Sequence, residues 1–129
     1  MIPFPAMPTE LTEEEKESLR HSFKRCREGT VEAIINLRQT GDPETIATIV
    51  RGIVWRYVQQ DARPVVEEAT PETPLVALGI DSLMMLEVVL DVQDALDLVI
   101  EDSDLRQMQT MGDVVTFLQK RFAETHPQT

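Results

Sequence analysis

The sequence predicts an all-α fold: a helical bundle of three main helices plus one short helix, with an extra N-terminal helical segment. Three observations carry this. Apolar residues recur at helical spacing in several separate stretches, helix-start signals precede most of them, and no alternating strand pattern occurs in the 129 residues. That length suits about one ordinary domain, and an apolar content of 42% is enough for a core.

Taken in order, Met1 to Pro8 hold three prolines, so residues 1–11 are expected to form a poorly ordered arm. Thr12 followed by Glu15 reads as a capping box, and Glu13 to Glu15 suit the positive end of a helix running to about Glu28. Gly29 reads as its stop. Val31, Ile34, Ile35 and Leu37 then add a further apolar-periodic stretch before Gly41, either as a second helix or as one helix tolerating an internal glycine. Residues 12–41 together make the N-terminal helical extension. Its apolar patch is too short for an independent domain, and it is expected to pack on the bundle, against the next helix or the last one, or to form a dimer contact.

Asp42-Pro43-Glu44 is a stronger start signal, with an N-cap acid and a proline at the first helical position. Ile46, Ile49, Val50, Ile53, Val54, Tyr57 and Val58 follow at helical spacing, so a helix is expected over Pro43 to Gln60. Pro64, Pro71 and Pro74 punctuate a long connection up to Ile80, and connections of that length usually have a specific role. A second long helix opens at Asp81 and ends near Leu96. A short helical turn covers about Asp102 to Met108, and a last helix runs from about Thr110 to Ala123, with Val114, Val115, Phe117, Leu118 and Phe122 as its apolar positions. The main domain is thus 42–124, followed by a tail at 125–129.

Charge narrows the function. Eleven of the 23 acids lie between Pro64 and Leu105, where there is no Lys, Arg or His; the rest of the chain balances twelve acids against twelve Lys plus Arg. All of the net charge of −11 is therefore concentrated in one segment, which repels nucleic acid and anionic membranes and favours partners with basic surfaces. Trp55, Tyr57, Phe117 and Phe122 fall inside apolar-periodic segments and read as core, not as a base-stacking platform. The single Cys26 builds no disulfide framework, so a cytoplasmic setting is the expectation. No secretory signal or continuous apolar run of membrane-spanning length occurs, so no membrane insertion is expected.

Inside the acidic segment lies Leu-Gly-Ile-Asp-Ser-Leu-Met-Met-Leu, from Leu78 to Leu86. Asp81 takes the N-cap and Ser82 the first turn of a helix that carries two apolar stripes. Met85, Val88, Val89, Val92 and Leu96 form one, suited to the core. Leu83, Leu86 and Leu90 form the other, expected to face outward among Glu87, Asp91 and Asp94. Exposed leucines flanked by acids compose a docking surface, with apolar contact for affinity and acids for steering.

Gly79-Ile80-Asp81-Ser82-Leu83 resembles the signature of acyl carrier proteins, and the resemblance extends over roughly Asp42 to Phe122. It implies a carrier-protein-like bundle in which Ser82 bears a covalent 4′-phosphopantetheine, supported by Asp81 and Gly79. It further implies that acyl intermediates are held as thioesters on that arm and shown to fatty acid, polyketide or related biosynthetic enzymes. The partners so implied are a phosphopantetheinyl transferase and acyl-loading and acyl-processing enzymes such as ketosynthases or acyltransferases, and the chain itself is no enzyme. A serine at a helix mouth suits a phosphate through the free N–H groups there, and Gly79 lets the loop turn without a side chain in the way. The chain departs from fatty acid carriers at Met84, where an acid is common, and at Ile100-Glu101, where Ile-Pro is usual; its first forty residues have no counterpart in a minimal carrier.

Other classes compete. Peptidyl or aminoacyl carriers share the fold and the arm but show Gly-Gly-x-Ser, and D-alanyl carriers place an aromatic residue where Leu83 stands. An unmodified carrier-like interaction module is a further alternative. Isolated His21 and His126, a lone Cys26 with no evident base, and acids near Asp102 that read as a helix start give an enzyme or metal site little support.

Overall fold

In the computed structural model, residues 11–126 are described. Six α-helices follow one another: α1 (Glu13–Ser22), α2 (Thr30–Thr40), α3 (Thr45–Tyr57), α4 (Arg63–Glu67), α5 (Ser82–Leu96) and α6 (Met111–Thr125), with 3-10 turns at Gln60–Ala62, Leu75–Leu78 and Asp102–Gln107. Among the described residues there is no strand, only an isolated bridge between Pro74 and Thr110. The expected all-α bundle is thus found, with more helices than sequence periodicity separates. The expected arm lies outside the described residues except for Leu11.

Several boundaries move, each for a physical reason. Thr12 does form the capping box with Glu15, but α1 ends at Ser22, not Glu28. It buries none of its residues, whereas Phe23 and Cys26 in the following turn are 3% and 7% exposed, so burial of these two ends the helix. Gly29, at φ +95°, begins α2 instead of stopping α1, and the two helices are separate. Asp42 caps a lead-in turn: its carboxylate accepts from the Glu44 N–H at 3.0 Å and its carbonyl from the Thr45 hydroxyl at 2.8 Å, and α3 starts at Thr45. Val58, extended and buried, turns the chain inward and ends α3 at Tyr57, short of Gln60.

The long proline-containing connection is ordered. Pro64 sits in the first turn of α4, where its missing N–H costs nothing, and Arg51 donates to the carbonyls of Val66, Glu67 and Ala69 at the far end of that helix. Further on, Leu75 donates to the Gln109 carbonyl at 2.9 Å, and Met111 to that of Thr73 at 2.9 Å, which ties the loop to the start of α6. Helix α6 continues to Thr125. His126 lies against the Phe122 ring with 4.7 Å between centroids, and its Nε2 is 2.7 Å from the Asp97 carbonyl, so the chain is still packed at the first residues of the expected tail.

The N-terminal extension shares this core. Ile34 and Leu37 of α2 are fully buried in one cluster with Ile46, Ile49, Val50 and Ile53 of α3, Leu96 of α5 and Leu118 of α6. Each aliphatic side chain buried to that degree contributes about 1.5–3 kcal/mol. The close approach of α2 and α3 depends on Gly52, where a Cβ would stand only 1.8 Å from the Thr30 Oγ1. Arg38 of α2 also donates to the carbonyls of Asp94 and Ala95 in the last turn of α5, placing a cation at the negative end of that helix.

The four singled-out aromatics divide. Phe122 is buried, while Trp55, Tyr57 and Phe117 are half-buried beneath arginines, with Arg63, Arg56 and Arg121 at 3.7, 4.9 and 4.8 Å from the respective ring centroids. Cys26 stands in a turn instead of on a helix; burial, with the Asp91 charge nearby, pushes its thiol up to about 11, so it is a poor nucleophile at neutral pH.

Candidate functional site

Helix α5 spans Ser82–Leu96, within the expected bounds. Asp81 is its N-cap in extended conformation, and the Asp81 Oδ1 accepts from the Met84 N–H at 2.8 Å. Such a cap stabilises by about 1 kcal/mol over alanine. Because Asp81 takes that third donor, helix geometry leaves the N–H groups of Ser82 and Leu83 without intrahelical acceptors at the positive end of the helix dipole.

The approach to Ser82 is held from beneath. Leu75, Leu78 and Ile80 are buried, and the Ile80 N–H donates to the Leu75 carbonyl, which closes a small loop. Between the buried anchors stands Gly79 at φ +84°, a left-handed conformation that side chains adopt only at a cost, with open space where its Cβ would be. Ser82 is therefore exposed on a fixed elbow. A phosphodiester on its hydroxyl fits: the surface beside it is free at Gly79, two backbone donors are unclaimed, and the adjacent Asp81 carboxylate is turned into the cap.

Beyond the elbow, α5 separates into the two expected stripes. Val88, Val89, Val92 and Leu96 are buried and Met85 half-buried, whereas Leu83, Leu86 and Leu90 are 66%, 49% and 59% exposed. Glu87 and Asp94 are exposed beside those leucines. Asp91, expected with them, is engaged internally: its Oδ2 accepts from the Tyr57 hydroxyl at 2.7 Å and pairs with the Arg56 Nη1 at 3.0 Å, with 18% of its side chain exposed. Burial and the bond to that carboxylate together raise the Tyr57 phenol well above its ordinary range, so it remains a donor. Gly79, Asp81, Ser82, Leu83, Leu86, Glu87, Leu90 and Asp94 are all exposed on the elbow and α5, whereas Asp91 belongs to the seam between α3 and α5.

Sequence reading passed over Val76, which is 79% exposed on the loop that leads to the elbow. The available signal was the spacing of its neighbours, since Leu75 and Leu78 at i and i+3 of a 3-10 turn point inward together and leave Val76 outside. Among the described residues no three His, Cys, Asp or Glu side chains are grouped to hold a metal ion.

Residues 58–118 match the family model described as a phosphopantetheine attachment site, a segment that contains the whole elbow and α5. The chain is 36% identical over 87 residues to the meromycolate extension acyl carrier protein of Mycobacterium tuberculosis, covering 67% of this chain and 74% of that protein. It is 44% identical over 62 residues to the protein of the same name in Mycobacterium leprae and 43% over 44 residues to the acyl carrier protein of an Exiguobacterium species; these matches span 53% and 56% of those relatives and 47% and 34% of this chain. The chain belongs to the acyl carrier protein family, and membership implies a covalently attached 4′-phosphopantetheine.

Proposed function

We propose that the chain is an acyl carrier protein with its arm on Ser82, holding acyl intermediates as thioesters for fatty acid, polyketide or related biosynthetic enzymes. The observation that carries this reading is the exposed Ser82 at the mouth of α5, capped by Asp81 and approached over Gly79. When bound, the prosthetic group supplies a terminal thiol for thioester exchange. The chain's own residues do three other things. Ser82 offers its hydroxyl on an elbow that can enter a transferase site, Asp81 holds the first turn while leaving the Ser82 and Leu83 N–H groups for the phosphate, and Leu83, Leu86 and Leu90 offer apolar contact to a docked enzyme. Glu87 and Asp94 steer that enzyme's basic surface, and Asp91 holds α5 in place against α3. No side chain of the carrier is required to make or break bonds in the acyl group, so the chain itself is not an enzyme in this reading.

No described helix is long and apolar enough to cross a membrane. A cytoplasmic location beside the biosynthetic enzymes is part of the proposal, as are a phosphopantetheinyl transferase and acyl-loading or acyl-processing enzymes as partners. The aligned segment shared with the mycobacterial meromycolate extension acyl carrier proteins supports a carrier that serves acyl extension.

Co-expression with a phosphopantetheinyl transferase tests the assignment. Wild-type protein should gain about 340 Da on the Ser82 peptide, and Ser82→Ala should fold and gain nothing. Modification persisting in Ser82→Ala would reject the site; an unmodified wild type would favour an interaction module that only resembles a carrier.

A further inference from the structure

An open groove of about 570 Å³ lies between the turn that joins α1 to α2 and the C-terminal end of α3, with Lys24, Arg25, Trp55, Arg56 and Arg63 on its walls. Four of the chain's twelve Lys and Arg residues thus line one depression in a protein of net charge −11. Two of them are internally committed. Arg56 pairs with Asp91, and Arg63 lies 3.7 Å over the Trp55 ring while its Nε donates to the Trp55 carbonyl at 3.1 Å. Lys24 and Arg25 are exposed and form no ion pair among the described residues. Two residues of its lining, Arg56 and Tyr57, hold Asp91 of α5, so the groove adjoins the docking helix on its Asp91 side.

We propose that this groove is a second docking subsite, which takes an acidic polypeptide segment of an enzyme seated on α5; the proposal rests on the reading of α5 as the docking face. Charge complementarity selects the occupant. Arg56 and Arg63 are oriented by internal partners, which leaves Lys24 and Arg25 as the two cations of the groove with neither an ion pair nor a stacking partner among the described residues. The free charge of Lys24 and Arg25 on long side chains, beside the Trp55–Arg63 stack, suits carboxylates spaced along a chain with apolar side chains between them. A partner must then bring a basic patch to Glu87 and Asp94 and an acidic segment to the groove, in that order. A surface uniformly basic is rejected at Lys24 and Arg25, which gives this carrier a means of discriminating among enzymes that dock on an acidic helix.

Trp55 is the only tryptophan and reports on the groove by its fluorescence. The protein without its arm is titrated at low salt with a peptide of alternating glutamate and leucine and, separately, with tripolyphosphate. A saturable response to the peptide is expected, weakened about tenfold by Lys24→Glu with Arg25→Glu and unchanged by Lys120→Glu on α6. No saturable response, an equal response in the double variant, or tighter binding of tripolyphosphate would overturn the proposal. Arm loading on Ser82, measured by mass on the same samples, is a separate readout. If loading fails in wild type, the carrier reading is lost whatever the groove binds; if loading proceeds and the titration fails, only the groove proposal falls.

Discussion

The Asp91 carboxylate on α5 accepts a 2.7 Å hydrogen bond from the Tyr57 hydroxyl on α3. This bond, with the 3.0 Å pair to Arg56 on the same oxygen, converts one acid of the recognition helix into a strut between helices. Asp91→Ala should therefore cost about 1–3 kcal/mol, because it leaves a half-buried guanidinium and a phenol without their acceptor. Glu87→Ala, one turn away and exposed, should stay within about 0.5 kcal/mol of wild type. Urea unfolding followed by Trp55 fluorescence distinguishes them, and equal stability in the two variants would show that the strut carries no weight.

Reversal of the exposed acids tests steering. Glu87→Lys combined with Asp94→Lys should slow acyl or arm transfer markedly at low ionic strength and much less at high salt, since exposed charges are screened beyond about 10 Å at 0.1 M. The ratio of transfer rates at the two salt levels is the measurement. A loss independent of salt would place the effect in contact or folding.

Helix α2 is a structural part of the bundle by its burial. Leu37→Ala should lose about 2–5 kcal/mol, the range for emptying a fully buried leucine site. Removal of residues 1–41 should lower the thermal midpoint far more, since it uncovers the face of α3 and withdraws Arg38 from the end of α5. Calorimetry of the truncated chain is decisive: an unchanged midpoint in a monomeric protein would contradict the shared core.

Acid sensitivity should centre partly on Asp104. Its carboxylate accepts from the Glu101 N–H at 2.8 Å and pairs with Arg121, and these, the backbone bond first, hold its carboxyl below the ordinary aspartate range despite burial. A group whose folded pKa is depressed contributes stability above its unfolded value and loses it as pH falls through the folded one. The contribution is thus intact at neutral pH and fades below about pH 4. Asp104→Asn should flatten the decline of unfolding free energy over that interval, as read from urea midpoints at a series of pH values. A slope identical to wild type would assign the acid sensitivity to other carboxylates.

Local chemistry determined by itself the most telling element. Asp81 as cap, Gly79 at the turn, the stop near Leu96 and the division of α5 into buried valines and exposed leucines all follow from capping, backbone freedom and period, which act over a few residues and are written in order along the chain. The capping box at Thr12, the start of the last helix near Thr110 and the short turn at Asp102 were legible for the same reason.

Tertiary structure decided what depends on residues far apart. Asp91 and Asp94 read alike in sequence, but only Asp91 faces Tyr57 and Arg56, 34 and 35 residues away, and so leaves the steering surface. The end of α1 was set by burial of Phe23 and Cys26, and α4 within the proline-containing connection was held by Arg51 across a gap of 15 to 18 residues. The excess negative charge of the central segment is likewise partly answered in space, by Arg27 on Glu67, Arg56 on Asp91 and Arg121 on Asp104. Periodicity states which face of a helix is apolar; which partner meets that face, and which charges are thereby removed from water, is a property of the packed chain alone.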